Sequence, residues 1–383
     1  MGTVIVDAHH HVWDLGVRHQ PWLDGDGLAP LRRDFLLADY PGPAAGVTAS
    51  VVVQTVVQPE ETPELLALAA GSDLVAGVVG WADLADPGIA DVLAELRALP
   101  GGGKLAAVRH QVQSEPDPRW LLRPDVLRGL RAVAAAGLVY DLVVTAEQLG
   151  ACAEAAAAVP DLVFVLDHLG KPPIAGGGLE PWATDLCRLA ALPNPVAKLS
   201  GLVTEADWRH WRLEDQRPYA DVAFGAFGAD RLMFGSDWPV CTLAASYDEV
   251  LAAARELTSD LSAGERDAIF AGTATRVYRL CLPVLTPPPY HLIRERARNH
   301  QRDYHEGFAT SWGSFSWFAR DDQVSGPGRA GPSRRYSART PAHHTAVCAE
   351  RASWSYKGWP GYEMGTAAAP RSADEQSRLL QPL

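Results

Sequence analysis

At 383 residues the chain is long enough for one large α/β barrel or two smaller domains. Its 46 acidic against 34 basic residues give a formal net charge of −12, and the acidic excess lies before residue 281, so the main body lacks the basic footprint that nucleic acid or an anionic membrane would need. The five cysteines, Cys152, Cys187, Cys241, Cys281 and Cys348, make neither a C-x-x-C pair nor an even disulfide framework, and a cytoplasmic protein acting on a small-molecule substrate is expected, with room for a homo-oligomer.

In chain order, the first apolar run is TVIVDAHH (3–10), and it lacks the basic-then-apolar order of a signal peptide. SVVVQTVV (50–57), VAGVVGWADL (75–84), LAAVRHQV (105–112), LVYDLVV (138–144), LVFVLDHL (162–169), PVAKLSGLV (195–203) and RLMFGSDWP (231–239) follow, each rich in Val, Ile and Leu and short enough for a strand. Between them ETPELLALAAG (61–71), PDVLRGLRAVAAAG (124–137), AEQLGACAEAAAAV (146–159) and SYDEVLAAARELTS (246–259) carry helical periodicity. No run is long enough without a charge to cross a membrane, since residues such as Asp167 interrupt them.

Strands alternating with helices imply parallel pairing through crossovers, and eight units in roughly 250 residues predict a closed (β/α)₈ barrel of the TIM type. A doubly wound open sheet is the alternative, but no strand leads into a G-x-G-x-x-G or G-x-x-x-x-G-K-S/T loop. After Leu280 the texture changes to Arg, Gly, Ser, Pro and His with aperiodic aromatics. The sequence therefore divides into a barrel over 1–282 and a disordered C-terminal extension over 283–383, with a small second domain or an out-of-frame extension as the other readings of that segment.

Barrel active sites lie at the C-terminal ends of the strands. Those ends carry His9 to His11 on the first strand, Arg109 and His110 on the fourth, Asp167 and His168 with Lys171 past the sixth, and Ser236, Asp237 and Trp238 on the eighth. Strict alternation puts Asp7, His9 and His11 on one face and His10 on the other, and points Asp167 away from the lumen. Two imidazoles at i and i+2 can aim at one point on the axis, to hold a divalent ion or donate to a carbonyl oxygen. A single such histidine more often just satisfies backbone groups, but His9, His11, His168 and Asp237 at three ends of one barrel favour a metal or catalytic set.

Asp237 is a candidate general base whose competing role is an N-cap. Of Arg109 and His110 one alone can face the lumen squarely; His110 is a candidate proton donor to a leaving group, Arg109 a candidate for binding a carboxylate or hydroxyls. Asp141 would be costly inside an apolar strand unless it faced a polar lumen, and is a candidate substrate contact. Lys171, Trp238 and Trp81 are placed near the mouth as further substrate contacts, with ordinary packing as the competing role; Lys198 is ambiguous.

DAHHHVWD, VRHQVQSEPDPRWL, FVLDHLGKPPI, KLSGLVTEADW and RLMFGSDWPVCTLAASYDEVL together resemble the amidohydrolase-2 family, in particular its branch of sugar-lactone hydrolases. The resemblance spans roughly residues 3 to 280, with no counterpart for the segment beyond. It implies a distorted (β/α)₈ barrel whose working residues are His9, His11, His168 and Asp237. Two departures from the wider superfamily count against a binuclear centre: no lysine ends strand four, and strand five ends in VVT where a metal-binding histidine would stand. Thr273 also stands where close relatives carry asparagine. One divalent ion, zinc by preference, or a metal-independent site in which the histidines polarise the carbonyl are both implied. The expected reaction is opening of a carbohydrate-derived lactone to its hydroxy acid. An amidohydrolase-type decarboxylase, an amide or imide hydrolase, and a non-enzymatic sugar-binding or scaffold barrel are the rivals.

Overall fold

The apolar runs fold into eight short parallel strands hydrogen-bonded in sequence order: β1 (Val6–His10), β2 (Ala49–Val53), β3 (Val75–Gly80), β4 (Leu105–His110), β5 (Val139–Leu142), β6 (Phe164–Leu166), β7 (Pro195–Leu199) and β8 (Leu232–Phe234). The computed structural model describes residues 4–282, and the extension expected over 283–383 lies outside the described residues. Among the described residues no helix is long and apolar enough to cross a membrane.

Helices α1 (Glu61–Ala70), α2 (Ile89–Ala98), α3 (Pro124–Ala135), α4 (Leu149–Ala158), α5 (Trp182–Ala190), α6 (Leu213–Phe227) and α7 (Tyr247–Leu257) return the chain from β2 onwards. The β1–β2 connection has short 3₁₀ turns at Pro21–Asp24, Ala29–Leu31 and Leu37–Asp39 instead of an α-helix. The four expected helices are found with their ends trimmed; residues 146–148 of the third form a 3₁₀ turn capped by Thr145.

Alternation along the strands sorts side chains into two layers. Val6, Ala8, Ala49, Val51, Val53, Ala76, Val79, Ala107, Val139, Val165, Val196 and Met233 point inward and form an apolar plug, closed by Val277, Tyr278 and Leu280 of the C-terminal segment. The outward residues pack against the helices in the larger core around Leu66, Val78, Leu130, Tyr140, Leu166, Trp182 and Phe234. A packed lumen of this kind leaves room for a site only at the mouth.

The seam between β8 and β1 closes there. His9 O accepts from Asp237 N at 2.8 Å, Trp238 O accepts from His11 N at 2.7 Å, and Asp7 Oδ1 accepts from Ser236 N at 2.9 Å. Gly235 allows this approach, since a Cβ there would stand 2.7 Å from the His9 Cβ.

Candidate active site

The register of β1 against β2 slips between Asp7 and His10, as a bulge does. That slip corrects the expected sharing of one face by Asp7, His9 and His11. Asp7 points outward, where Tyr40 Oη at 2.6 Å and Tyr247 Oη at 3.1 Å donate to its Oδ2. His10 also points outward, stacked on Tyr40 with its Nε2 3.0 Å from Ser50 Oγ, and burial lowers its pKa to about 3. His9 and His11 point inward, with their Nε2 atoms 3.1 Å apart.

At the end of β6 the chain turns through left-handed residues, His168 at φ 53° and Leu169 at φ 52°. Side chains with a Cβ rarely hold this conformation and do so chiefly where the surroundings dictate it. Asp167 keeps the inward phase of Val165, which corrects its expected outward placement, and the turn brings His168 to the lumen beside it. Asp237 is likewise left-handed, at φ 58°, immediately past β8. Gly201, at φ 64°, leaves space for the His168 ring, because a Cβ there would lie 2.6 Å from Nδ1.

His9, His11, His168 and Asp237 therefore meet on the axis, as the sequence suggests. Asp237 Oδ1 lies 3.5 Å from His11 Nε2, 3.7 Å from His9 Nε2 and 3.8 Å from His168 Nε2. Burial works against the Asp237 charge, but His168 and His11 outweigh it and hold its pKa below the usual carboxylate range. Burial lowers His9 well below the ordinary histidine value, with Lys198 adding to the effect, and lowers His168 to about 4. Near neutral pH the site thus holds an ionised Asp237 beside the uncharged imidazoles of His9 and His168.

Beneath it lies an ionic layer. Lys198 Nζ is 2.7 Å from Asp141 Oδ2, 2.9 Å from Asp167 Oδ1 and 3.0 Å from His9 Nδ1. Arg109 donates to Asp167 Oδ2 at 2.9 Å and to Gln54 O and Oε1. All these charged groups are buried and each is paired, as buried charges must be. Asp141 is fully buried below the cleft, bonded to Lys198 and Tyr278 Oη, which corrects its placement as a substrate contact.

The site residues are suited to a divalent cation. His9, His168 and Asp237 offer ligand atoms that all lie within 4.8 Å of one another. Tetrahedral bonds of about 2.0–2.1 Å to one ion separate its ligands by about 3.4 Å, and Asp237 Oδ1 lies 3.5–3.8 Å from the Nε2 atoms of His11, His9 and His168. His11 Nδ1 donates to Val53 O at 2.8 Å, which leaves the Nε2 lone pair facing the site. His9 can present its Nε2 lone pair when Nδ1 carries the proton toward Asp167 Oδ1 at 3.3 Å. When Nδ1 instead accepts from Lys198, Nε2 becomes a donor.

Above this floor opens a cleft of about 600 Å³, its open mouth included, lined by His11, Arg109, His168, Lys171 and Asp237 together with Trp22, Thr55, Gln111, Gln113, Ser114, Val143, Thr204, Glu205 and Val240. Lys171 stands where expected. His110, Trp81 and Trp238 do not, and their expected places on the wall are corrected. His110 alternates outward, stacked on Trp120, bonded to Glu115 Oε1 at 2.6 Å and accepting from Trp81 Nε1 at 3.1 Å. Trp238 packs its ring against Phe35 and Tyr40.

Thr55, Gln113, Ser114 and Glu205 are wall residues that sequence reasoning missed. Thr55 is held by the Glu61 carboxylate at the start of α1, which accepts from Thr55 N at 2.8 Å and from Val56 N at 3.1 Å. A glutamate eight residues past the end of β2, at the first position of α1, was the available signal.

The amidohydrolase family model matches residues 6–280. Two L-fucono-1,5-lactonases are similar: one from Burkholderia multivorans, 44% identical over 74% of this chain and 98% of its own, and one from Burkholderia ambifaria, 37% identical over 73% and 97%. A crystal structure of an amidohydrolase from Burkholderia multivorans with bound zinc is 43% identical, covers 73% of this chain and all of its own, and superimposes with a TM-score of 0.68.

Proposed function

This chain belongs to the amidohydrolase family, and from that premise we propose that it is a sugar-lactone hydrolase, opening L-fucono-1,5-lactone or a close aldonolactone to the hydroxy acid. The observation that carries the reading is the meeting of His9, His11, His168 and ionised Asp237 on the floor of one cleft. The similarity to two lactonases over nearly their whole length supports it. The catalytic unit is assigned to residues 1–282, with 283–383 dispensable for turnover.

The lactone carbonyl oxygen sits toward the imidazoles and a water lies against Asp237. Asp237 takes a proton from that water as the new C–O bond forms. The carbonyl electron pair moves onto oxygen, and groups already aimed at that oxygen stabilise the tetrahedral oxyanion. Collapse restores the carbonyl and breaks the ring C–O bond, and Asp237 returns its proton to the departing alkoxide. Arg109 and Lys198 hold Asp167, and Asp167 with Lys198 orients His9. Lys171 and the polar wall residues recognise ring hydroxyls.

His9, His11, His168 and Asp237 are the residues that would hold one divalent cation, zinc by preference. When bound, such an ion supplies Lewis acidity to the lactone carbonyl. One observation supports a second route: Lys198 Nζ lies nearer His9 Nδ1, at 3.0 Å, than Asp167 does, at 3.3 Å, and with Nδ1 accepting from Lys198 the His9 Nε2 would donate to the carbonyl.

Acid release from a panel of aldonolactones, with and without chelator and zinc re-addition, tests the reading. Turnover is expected; its chelator response separates the two routes. Absence of opening across the panel contradicts the function.

A further inference from the structure

Besides the imidazoles, four ionisable side chains line the cleft: Arg109, Lys171, Glu205 and Asp237. Arg109 is engaged with Asp167 and Gln54, and Asp237 faces the imidazoles. Lys171 and Glu205 stand on the wall, on the loops that follow β6 and β7. Burial raises the Glu205 carboxyl, opposed by Lys171 and reinforced by Asp237; burial lowers the Lys171 ammonium, opposed by Glu205 and Asp237. Lys171 and Glu205, of opposite formal charge, line one partly desolvated cleft, where charges interact more strongly than in water.

The loop that carries Glu205 is fastened. Gly201 O accepts from Thr204 Oγ1 at 2.8 Å, Thr204 O accepts from Trp208 Nε1 at 2.7 Å, and Glu205 O accepts from Ala175 N at 3.0 Å. A carboxylate set on such a support is pre-organised toward the cleft.

We propose that Glu205 is a specificity-determining residue which, by matching Lys171, makes the cleft accept an uncharged polyhydroxylated lactone and exclude molecules that carry a carboxylate. The inference rests on the lactone-hydrolase reading and deepens it. A carboxylate offers only acceptors, so it pairs naturally with sugar hydroxyls as donors. A carboxylate-bearing ligand placed beside Glu205 and Asp237 meets like charge. The same asymmetry acts within the reaction: the lactone enters neutral, the product leaves as an anion, and Glu205 thereby favours its departure.

The test is Glu205→Gln, which keeps the side-chain volume, with Lys171→Gln as the converse variant. The readouts are kcat/KM for L-fucono-1,5-lactone and for an aldaric monolactone bearing a free carboxylate, together with calorimetric affinity for the aldonate product. For Glu205→Gln the preference for the neutral lactone is expected to fall about tenfold and the aldonate to bind about tenfold tighter, chiefly through KM and Kd. Lys171→Gln is expected to keep the carboxylate-bearing lactone excluded. If Glu205→Gln leaves both the preference and the aldonate affinity within about twofold of wild type, the proposal is overturned while wild-type lactone opening still stands. If the wild type opens no lactone, the functional reading fails and takes this inference with it.

Discussion

The two layers of the barrel lumen are built by the same strands and have opposite chemistry. The lower holds Val6, Ala8, Val51, Val165 and Met233 and is closed by Tyr278 and Leu280. The upper holds His9, Arg109, Asp141, Asp167 and Lys198, all buried, with Asp237 above them. Apolar contacts tolerate small shifts, because dispersion and burial are non-directional. The upper layer is directional: each buried charge is tolerable only while its partner stays in place. The lower layer supplies stability and the upper spends part of it to aim imidazoles and a carboxylate at one point.

The sharpest way to break the contrast is Asp237→Asn. It is expected to lower kcat for lactone opening by about 10²–10⁴-fold, the range for loss of a general base, while the melting temperature changes little. Lys198→Met leaves Asp141 and Asp167 without their shared cation and is expected to cost about 3–5 kcal/mol in denaturant unfolding, with a fall in kcat because His9 loses a partner. Met233→Ala in the lower layer is expected to cost about 2–5 kcal/mol and to leave kcat per folded molecule unchanged. An equal loss of kcat in Met233→Ala would erase the distinction between the layers.

A smaller effect is a pH dependence at His10, which lies outside both layers. Its folded pKa is depressed to about 3, whereas an unfolded histidine titrates near about 6.5. Between these values the unfolded chain binds the extra proton, so this contribution is present above about pH 6.5 and is lost as pH falls toward about 3. The stability advantage of wild type over His10→Gln is expected to shrink by about 1 kcal/mol per pH unit on acidification below about 6.5, measured by unfolding at several pH values.

The barrel was legible from periodicity, and the clustering of His9, His11, His168 and Asp237 from their places at strand ends. Eight apolar runs give eight strands, and His9, His11, His168 and Asp237 all sit where strands end. What was misread turns on local departures from period two. The bulge between Asp7 and His10 puts His9 inward while Asp7 stays outward on Tyr40 and Tyr247, and the left-handed turn brings His168 inward beside Asp167, which keeps the inward phase of Val165 toward Arg109 and Lys198. His110 packs on Trp120 of the connection that follows its own strand, and Trp238 on Phe35 of the distant β1–β2 connection. Asp141 reads as a substrate contact because a carboxylate in an apolar strand needs a polar lumen, but its partners, Lys198 and Tyr278, lie 57 and 137 residues away. Glu205 sits within KLSGLVTEADW, and only the fastened loop shows that it reaches the cleft.

The most direct test of the central claim is turnover of L-fucono-1,5-lactone in oxygen-18 water, with the product analysed by mass spectrometry against an enzyme-free control. Water attack at the lactone carbonyl predicts enzyme-dependent product with one labelled oxygen, located in the carboxylate. No enzyme-dependent label, or label at the ring carbon's hydroxyl, would contradict lactone hydrolysis through His9, His11, His168 and Asp237.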